Sequence, residues 1–77
     1  MKPQLELLLK ALNNSTYYRL NQIDVTFDDE NIYVTDKNDS ESRNDVFYST
    51  GVIVLVEAFN VSNYIKLVEG RVTLIIY

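Results

Sequence analysis

The sequence predicts an α+β domain in which one N-terminal amphipathic helix packs on a small, mainly antiparallel sheet of four to five strands. Residues 50–60 read either as a further strand or as a second helix. Three observations carry this reading: a leucine stripe at helical spacing near the N-terminus, two stretches of strict alternation each folded about a polar turn, and the lack of any Gly- or Pro-rich linker that would divide the 77 residues. A chain of this length makes one domain, 1–77, near the size at which a single core only just offsets an ordering entropy of roughly 1.5 kcal/mol per residue. With 47% hydrophobic residues it has the apolar content to form that core.

Leu5, Leu8, Leu9 and Leu12 recur at i, i+3, i+4, i+7 and so make one apolar face, while Pro3 suits a first helical turn; residues 3–13 should be a helix. Glu6 and Lys10 form a favourable i, i+4 pair on its outer face, and Asn13-Asn14 can end it because Asn tolerates the left-handed conformation. Leu7 lies off the stripe. From Gln22 the period changes to two: Ile23, Val25 and Phe27 alternate with polar residues, then Ile32 and Val34 do the same. If Asp28-Asp29-Glu30-Asn31 is a four-residue loop, Phe27 faces Ile32 and Val25 faces Val34, so the apolar positions of both strands share one side and Asp24, Thr26, Tyr33 and Thr35 share the other.

Residues 36–45 are wholly polar and read as a loop or Asx-rich turn. Val52 to Val56 is a continuous apolar run with four β-branched members, for which a buried strand is the preferred reading. A helix starting near Ser49-Thr50, with Val52, Leu55, Val56 and Phe59 inward, is the alternative. Ile65 and Leu67 around Lys66, then Val72, Leu74 and Ile76 set against Arg71 and Thr73, give a second hairpin turning at Glu69-Gly70. The last strand runs apolar to Tyr77, so it must lie centrally in the sheet, be covered, or pair with another chain as a homodimer.

Charge is the feature that speaks to function. Eight of the eleven acidic residues fall between Asp24 and Asp45, opposed there only by Lys37 and Arg43; elsewhere five basic residues meet three acids. One-sided charge of this kind points to a basic surface on a partner. With no His and no Cys, the usual general base, the thiolate nucleophile, the disulfide and the commonest transition-metal ligands are all missing, so no catalytic residue, cofactor or metal site is expected. Asp28, Asp29 and Glu30 retain carboxylate chemistry, but three adjacent acids on a turn are ordinarily solvated. An EF-hand reading of the loop from Asp36, with Asn38 and Ser40 at the third and fifth places, fails at Glu41 in the sixth, at Phe47 in the twelfth, and for want of flanking helical patterns. Gly51 and Gly70 belong to no phosphate-binding motif.

Direct nucleic-acid binding is disfavoured by the net charge of −4, although Lys10, Arg19, Lys66 and Arg71 could gather with some of the six tyrosines on one side. Met1–Glu6 lacks the apolar run of a secretory leader, and no stretch approaches the ~20 apolar residues that span a bilayer, so no membrane association and a cytoplasmic setting are expected. The Asn-x-Ser/Thr matches at Asn13, Asn14, Asn38 and Asn60 would need a secretory route.

In size and charge pattern the chain resembles the small phage-encoded inhibitors that mimic DNA, such as anti-CRISPR proteins and inhibitors of uracil-DNA glycosylase. That resemblance implies a non-enzymatic inhibitor or adaptor presenting negative charge to the basic site of a nucleic-acid-processing protein. The candidate partner-binding residues are Asp24, Asp28, Asp29, Glu30, Tyr33, Asp36, Asp39, Glu41 and Asp45, read as one continuous negative surface. The alternative is a structural or assembly protein that acts through homo-oligomerisation, its acids serving only solubility.

Overall fold

The structure, a computed structural model, describes residues 1–14, 22–37 and 45–77. In chain order these form α1 (Pro3–Asn13), β1 (Ile23–Phe27), β2 (Ile32–Asp36), α2 (Asp45–Ser49), α3 (Val52–Ala58), β3 (Asn63–Val68) and β4 (Arg71–Ile76). The four strands make one antiparallel sheet in the order β1-β2-β4-β3, and the α+β class is as the sequence predicts.

The leucine stripe does what its spacing requires. Leu5, Leu8 and Leu12 are buried against the sheet and Leu9 is half-buried, while Leu7 points to solvent; each fully buried leucine contributes about 1.5–3 kcal/mol. Lys2 supplies the first carbonyl, accepting from the N–H groups of Leu5 and Glu6, and Glu6 and Lys10 sit at the helix ends that favour their charges. The helix stops without a left-handed residue: Asn14 has φ −101° and its N–H bonds the Lys10 carbonyl.

Both hairpins are present. In the first, Phe27 pairs with Ile32 and Val25 with Val34, as the loop length dictates. In the second, Ile65 pairs with Leu74 and Leu67 with Val72, and Glu69 and Gly70 both take positive φ, 53° and 80°, as a two-residue turn between right-twisted strands needs. β4 lies centrally, between β2 and β3, which accounts for its unbroken apolar run. Ile23, Ile32, Val34, Leu74 and Ile76 face one side and form a single core with residues of all three helices. Phe27 shares that side but, at the turn end of edge strand β1, remains exposed.

The preferred strand reading of Val52–Val56 is wrong: residues 52–58 are helical. Backbone punctuation outweighs β propensity here. Gly51, at φ 85°, occupies the left-handed position that ends α2 and lets α3 begin at once. At the far end Asn60 is left-handed at φ 53°; its N–H bonds the Glu57 carbonyl and the Val61 N–H bonds that of Val56, which is a Schellman closure. Val52 and Val56, one turn apart, are fully buried in the core, and that burial exceeds the few tenths of a kcal/mol that each β-branched residue costs a helix. A short helix, α2, also follows the polar segment, where the sequence shows no helical pattern. It is anchored by buried Phe47 and closed by the Thr50 hydroxyl donating to the Val46 carbonyl.

Candidate functional site

Among the described residues the three helices pack on one side of the sheet, and no helix lies on the other. Strand register fixes its rows. Nearest the β1–β2 turn, Thr26, Tyr33, Ile75 and Tyr64 lie side by side across the four strands; the next row is Asp24, Thr35, Thr73 and Lys66. Ile75 is only 4% exposed on this helix-free face, flanked in register by Tyr33 and Tyr64. Tyr77 packs edge-on against Tyr64, with ring centroids 5.6 Å apart. Two tyrosines therefore flank one buried isoleucine in register and a third packs on one of them, an arrangement with large apolar area and polar hydroxyls.

The acidic turn abuts this aromatic cluster. Asp28 Oδ1 accepts from the N–H groups of Glu30 and Asn31, each at 2.8 Å, and the Asp28 N–H donates to the Asn31 carbonyl. Its second oxygen, Oδ2, accepts from the Tyr33 hydroxyl at 2.6 Å, and the Asn31 amide donates to that same hydroxyl oxygen at 3.2 Å. The Tyr33 hydroxyl, with the two backbone N–H groups, holds the Asp28 carboxyl below the usual carboxylate range. The same bond raises the Tyr33 hydroxyl above the ordinary tyrosine value. Asp28 thus fixes the turn, while Asp29 and Glu30 are displayed by it. Asp29, Glu30, Asn31 and Tyr77 line one depression together with Met1 and Lys2.

The remaining sequence candidates are placed apart. Asp24 lies on the helix-free face four residues from Asp28, ~13 Å along the strand. It lines a shallow groove with Tyr33, Thr35, Thr73 and Arg71. Asp36 ends β2 opposite Ile23, on the helix side, and its carbonyl accepts from the Arg71 guanidinium. Asp45 opens α2. Asp39 and Glu41 lie outside the described residues.

The sequence reading missed Tyr64, Tyr77 and Ile75. Hairpin register alone puts Tyr64 level with Ile75, and this was legible from the Glu69-Gly70 turn. The pairing of β2 with β4, which brings Tyr33 to them, is not written in local pattern. Among the described residues no cluster of three acidic side chains is arranged to hold a metal ion, and no helix is long and apolar enough to cross a membrane. Comparison of the chain with protein-family models, with curated proteins and with solved structures yields no match.

Proposed function

We propose that this chain is a non-enzymatic binding protein whose helix-free sheet face docks on a basic site of another protein. The observation that carries the reading is the junction of the Asp28–Asn31 turn with the Tyr33, Tyr64 and Tyr77 cluster. An arginine is recognised in two ways at once, by a carboxylate that accepts from its guanidinium and by an aromatic ring on which its plane stacks. Asp29 and Glu30 offer the first and the tyrosines the second. A groove built to hold nucleic acid is rich in arginines that contact phosphates and stack on bases, so a nucleic-acid-processing protein is the partner class this face suits best, with inhibition or recruitment as the outcome. The Asp28–Tyr33 bond suits binding more than proton transfer, since it lowers the Asp28 carboxyl from its ordinary value and raises the Tyr33 hydroxyl, holding the one ionised and the other protonated across neutral pH.

The turn geometry sharpens the test. Asp28 is structural, so the variant to use is Asp29→Asn with Glu30→Gln, leaving Asp28 in place. Immobilised wild-type chain should retain nucleic-acid-binding proteins from a lysate, lose them as salt rises, and release them to added duplex DNA; the double variant should retain little. Equal capture by both forms, insensitive to salt and to DNA, would overturn the reading.

A further inference from the structure

The sheet has two edges of opposite character. β3 is one of them, and all six of its residues are exposed, including Ile65 at 40% and Leu67 at 62% on the helix side. Its backbone sense is fixed by one bond: the Tyr77 N–H donates to the Ser62 carbonyl at 2.9 Å, so Ser62 turns its groups toward β4. Antiparallel pairing alternates this sense residue by residue. Tyr64, Lys66 and Val68 therefore bond inward, and Asn63, Ile65 and Leu67 direct their N–H and C=O groups to the open edge. Among the described residues nothing bonds them there. Such an edge is a template for another strand unless charge, proline or a bulge blunts it, and β3 carries one charge, Lys66, and none of the other devices.

We propose that the occupant is a second copy of this chain, the two β3 strands pairing antiparallel about a two-fold axis at Ile65. This rests on the β3 edge alone and is independent of the function proposed for the sheet face. Self-pairing about a perpendicular axis keeps like faces together, so residue i meets a residue of the same parity. Five such registers centre within Asn63–Leu67, and centring on Asn63 or Tyr64 leaves Leu67 opposite Phe59 or Val61, beyond the start of β3. Centring on Lys66 sets two ammonium groups against each other. Centring on Leu67 puts Ile65 against Glu69 and strands Asn63. Centring on Ile65 packs Ile65 on its own copy, pairs Asn63 with Leu67 twice, and sets Tyr64 beside Lys66 in close non-hydrogen-bonded pairs suited to a cation–π contact. About six new backbone bonds result, using every outward group from Asn63 to Leu67.

Charge also selects this edge. The Asp28–Glu30 turn and Asp24 belong to β1 and its loop, three strands away and ~14 Å from β3. Two acidic molecules can therefore approach through β3 while the acids of the β1–β2 hairpin stay at the outer margins; Glu69, in the turn that ends β3, lies four residues from the Ile65 axis. The product is one continuous eight-stranded sheet with both tyrosine–acid patches on the same face.

Sedimentation velocity from ~5 to ~500 µM tests the proposal first: the wild type should show a reversible monomer–dimer equilibrium, and a monomer throughout would overturn it. Ile65→Lys, at an already exposed position, should keep the far-UV spectrum and weaken dimerisation roughly tenfold or more by facing two charges. Dimerisation unchanged by this substitution would overturn the β3 interface. The chain has no cysteine, so Ile65→Cys under mild oxidation should give a disulfide-linked dimer, the facing Cα atoms being ~5.5 Å apart. Leu67→Cys, its copies ~13 Å apart along the strands, should not; preferential linkage through Leu67 would overturn the register. Asp29→Asn with Glu30→Gln should leave dimerisation intact, which separates failure here from failure of the sheet-face function.

Discussion

The two hairpins of this sheet solve the same folding problem with opposite chemistry. The β1–β2 hairpin is closed by an acidic turn that a carboxylate braces from inside, and its outer strand carries Asp24. The β3–β4 hairpin is closed by backbone conformation alone, through left-handed Glu69 and Gly70, and its outer strand is an apolar ribbon with a single lysine. The β1 edge carries the charge that discourages strand addition, whereas the β3 edge is exposed along its length and carries one lysine. Charge separates the two hairpins without deciding the fold, since both contribute residues to one core; on the proposals made above, it would also decide which surface meets which partner.

The largest expected effect removes the comparison altogether. Phe47 is the largest fully buried side chain among the described residues, and Phe47→Ala should cost about 3–5 kcal/mol in a domain whose total stability is of order 5 kcal/mol. Urea unfolding should show both hairpins lost in one transition; a surviving β3–β4 hairpin would mean the two halves do not share a core. Next comes Gly51→Ala. The position is left-handed at φ 85°, which costs a non-glycine residue about 1–2 kcal/mol, and the midpoint of urea unfolding should fall accordingly. An unchanged midpoint would show that the α2–α3 junction does not depend on that conformation.

Those two residues also show where the sequence is legible. Everything governed by period and loop length could be read: the α1 stripe, both hairpin registers, and the split of the first hairpin into an apolar and a polar side. What depends on backbone sign at single residues was misread. Val52–Val56 has strand composition, yet Gly51 and Asn60, both left-handed, bracket a seven-residue helix. Phe47 follows a polar stretch with no helical periodicity, and its anchoring role comes from tertiary packing. At the candidate site, Tyr33 and the Asp28–Glu30 turn were visible as chemistry. Their union with Tyr64, Ile75 and Tyr77 depends on β2 lying next to β4, a long-range pairing that no local pattern encodes.

A third substitution strengthens one hairpin and leaves the other unchanged. Glu69 is a non-glycine residue at φ 53°, where Asn is better tolerated and Asn-Gly is the favoured pair for such a turn. Glu69→Asn should stabilise the domain by about 0.5 kcal/mol, read as a higher thermal midpoint without change in the hydrogen exchange of Glu30 and Asn31. A lower midpoint would mean that Glu69 makes a contact worth more than its strain.

The smallest effect is local to the acidic hairpin and is visible by pH. Asp28 is depressed below its ordinary 3.8, first by the Tyr33 hydroxyl and then by the Glu30 and Asn31 N–H groups. Its contribution to the fold is therefore fully present above that ordinary value and is lost as pH falls through the depressed one. Tyr33 is raised above 10.0 by the same bond, so its contribution is present below the ordinary value and is lost as pH rises through the raised one. The turn should hold its geometry between these limits and loosen at both ends. In an acid titration followed by NMR, the Glu30 and Asn31 amide signals should move with the Asp28 carboxyl, and Tyr33→Phe should shift that midpoint upward toward 3.8 while the backbone bonds remain. The β3–β4 turn contains no such bond, so the Gly70 amide should not follow this transition. If the Asp28 midpoint ignored Tyr33→Phe, the hydroxyl would not be the bracing group. The rigidity that lets Asp29 and Glu30 be displayed beside the tyrosines would then rest on the two backbone bonds alone.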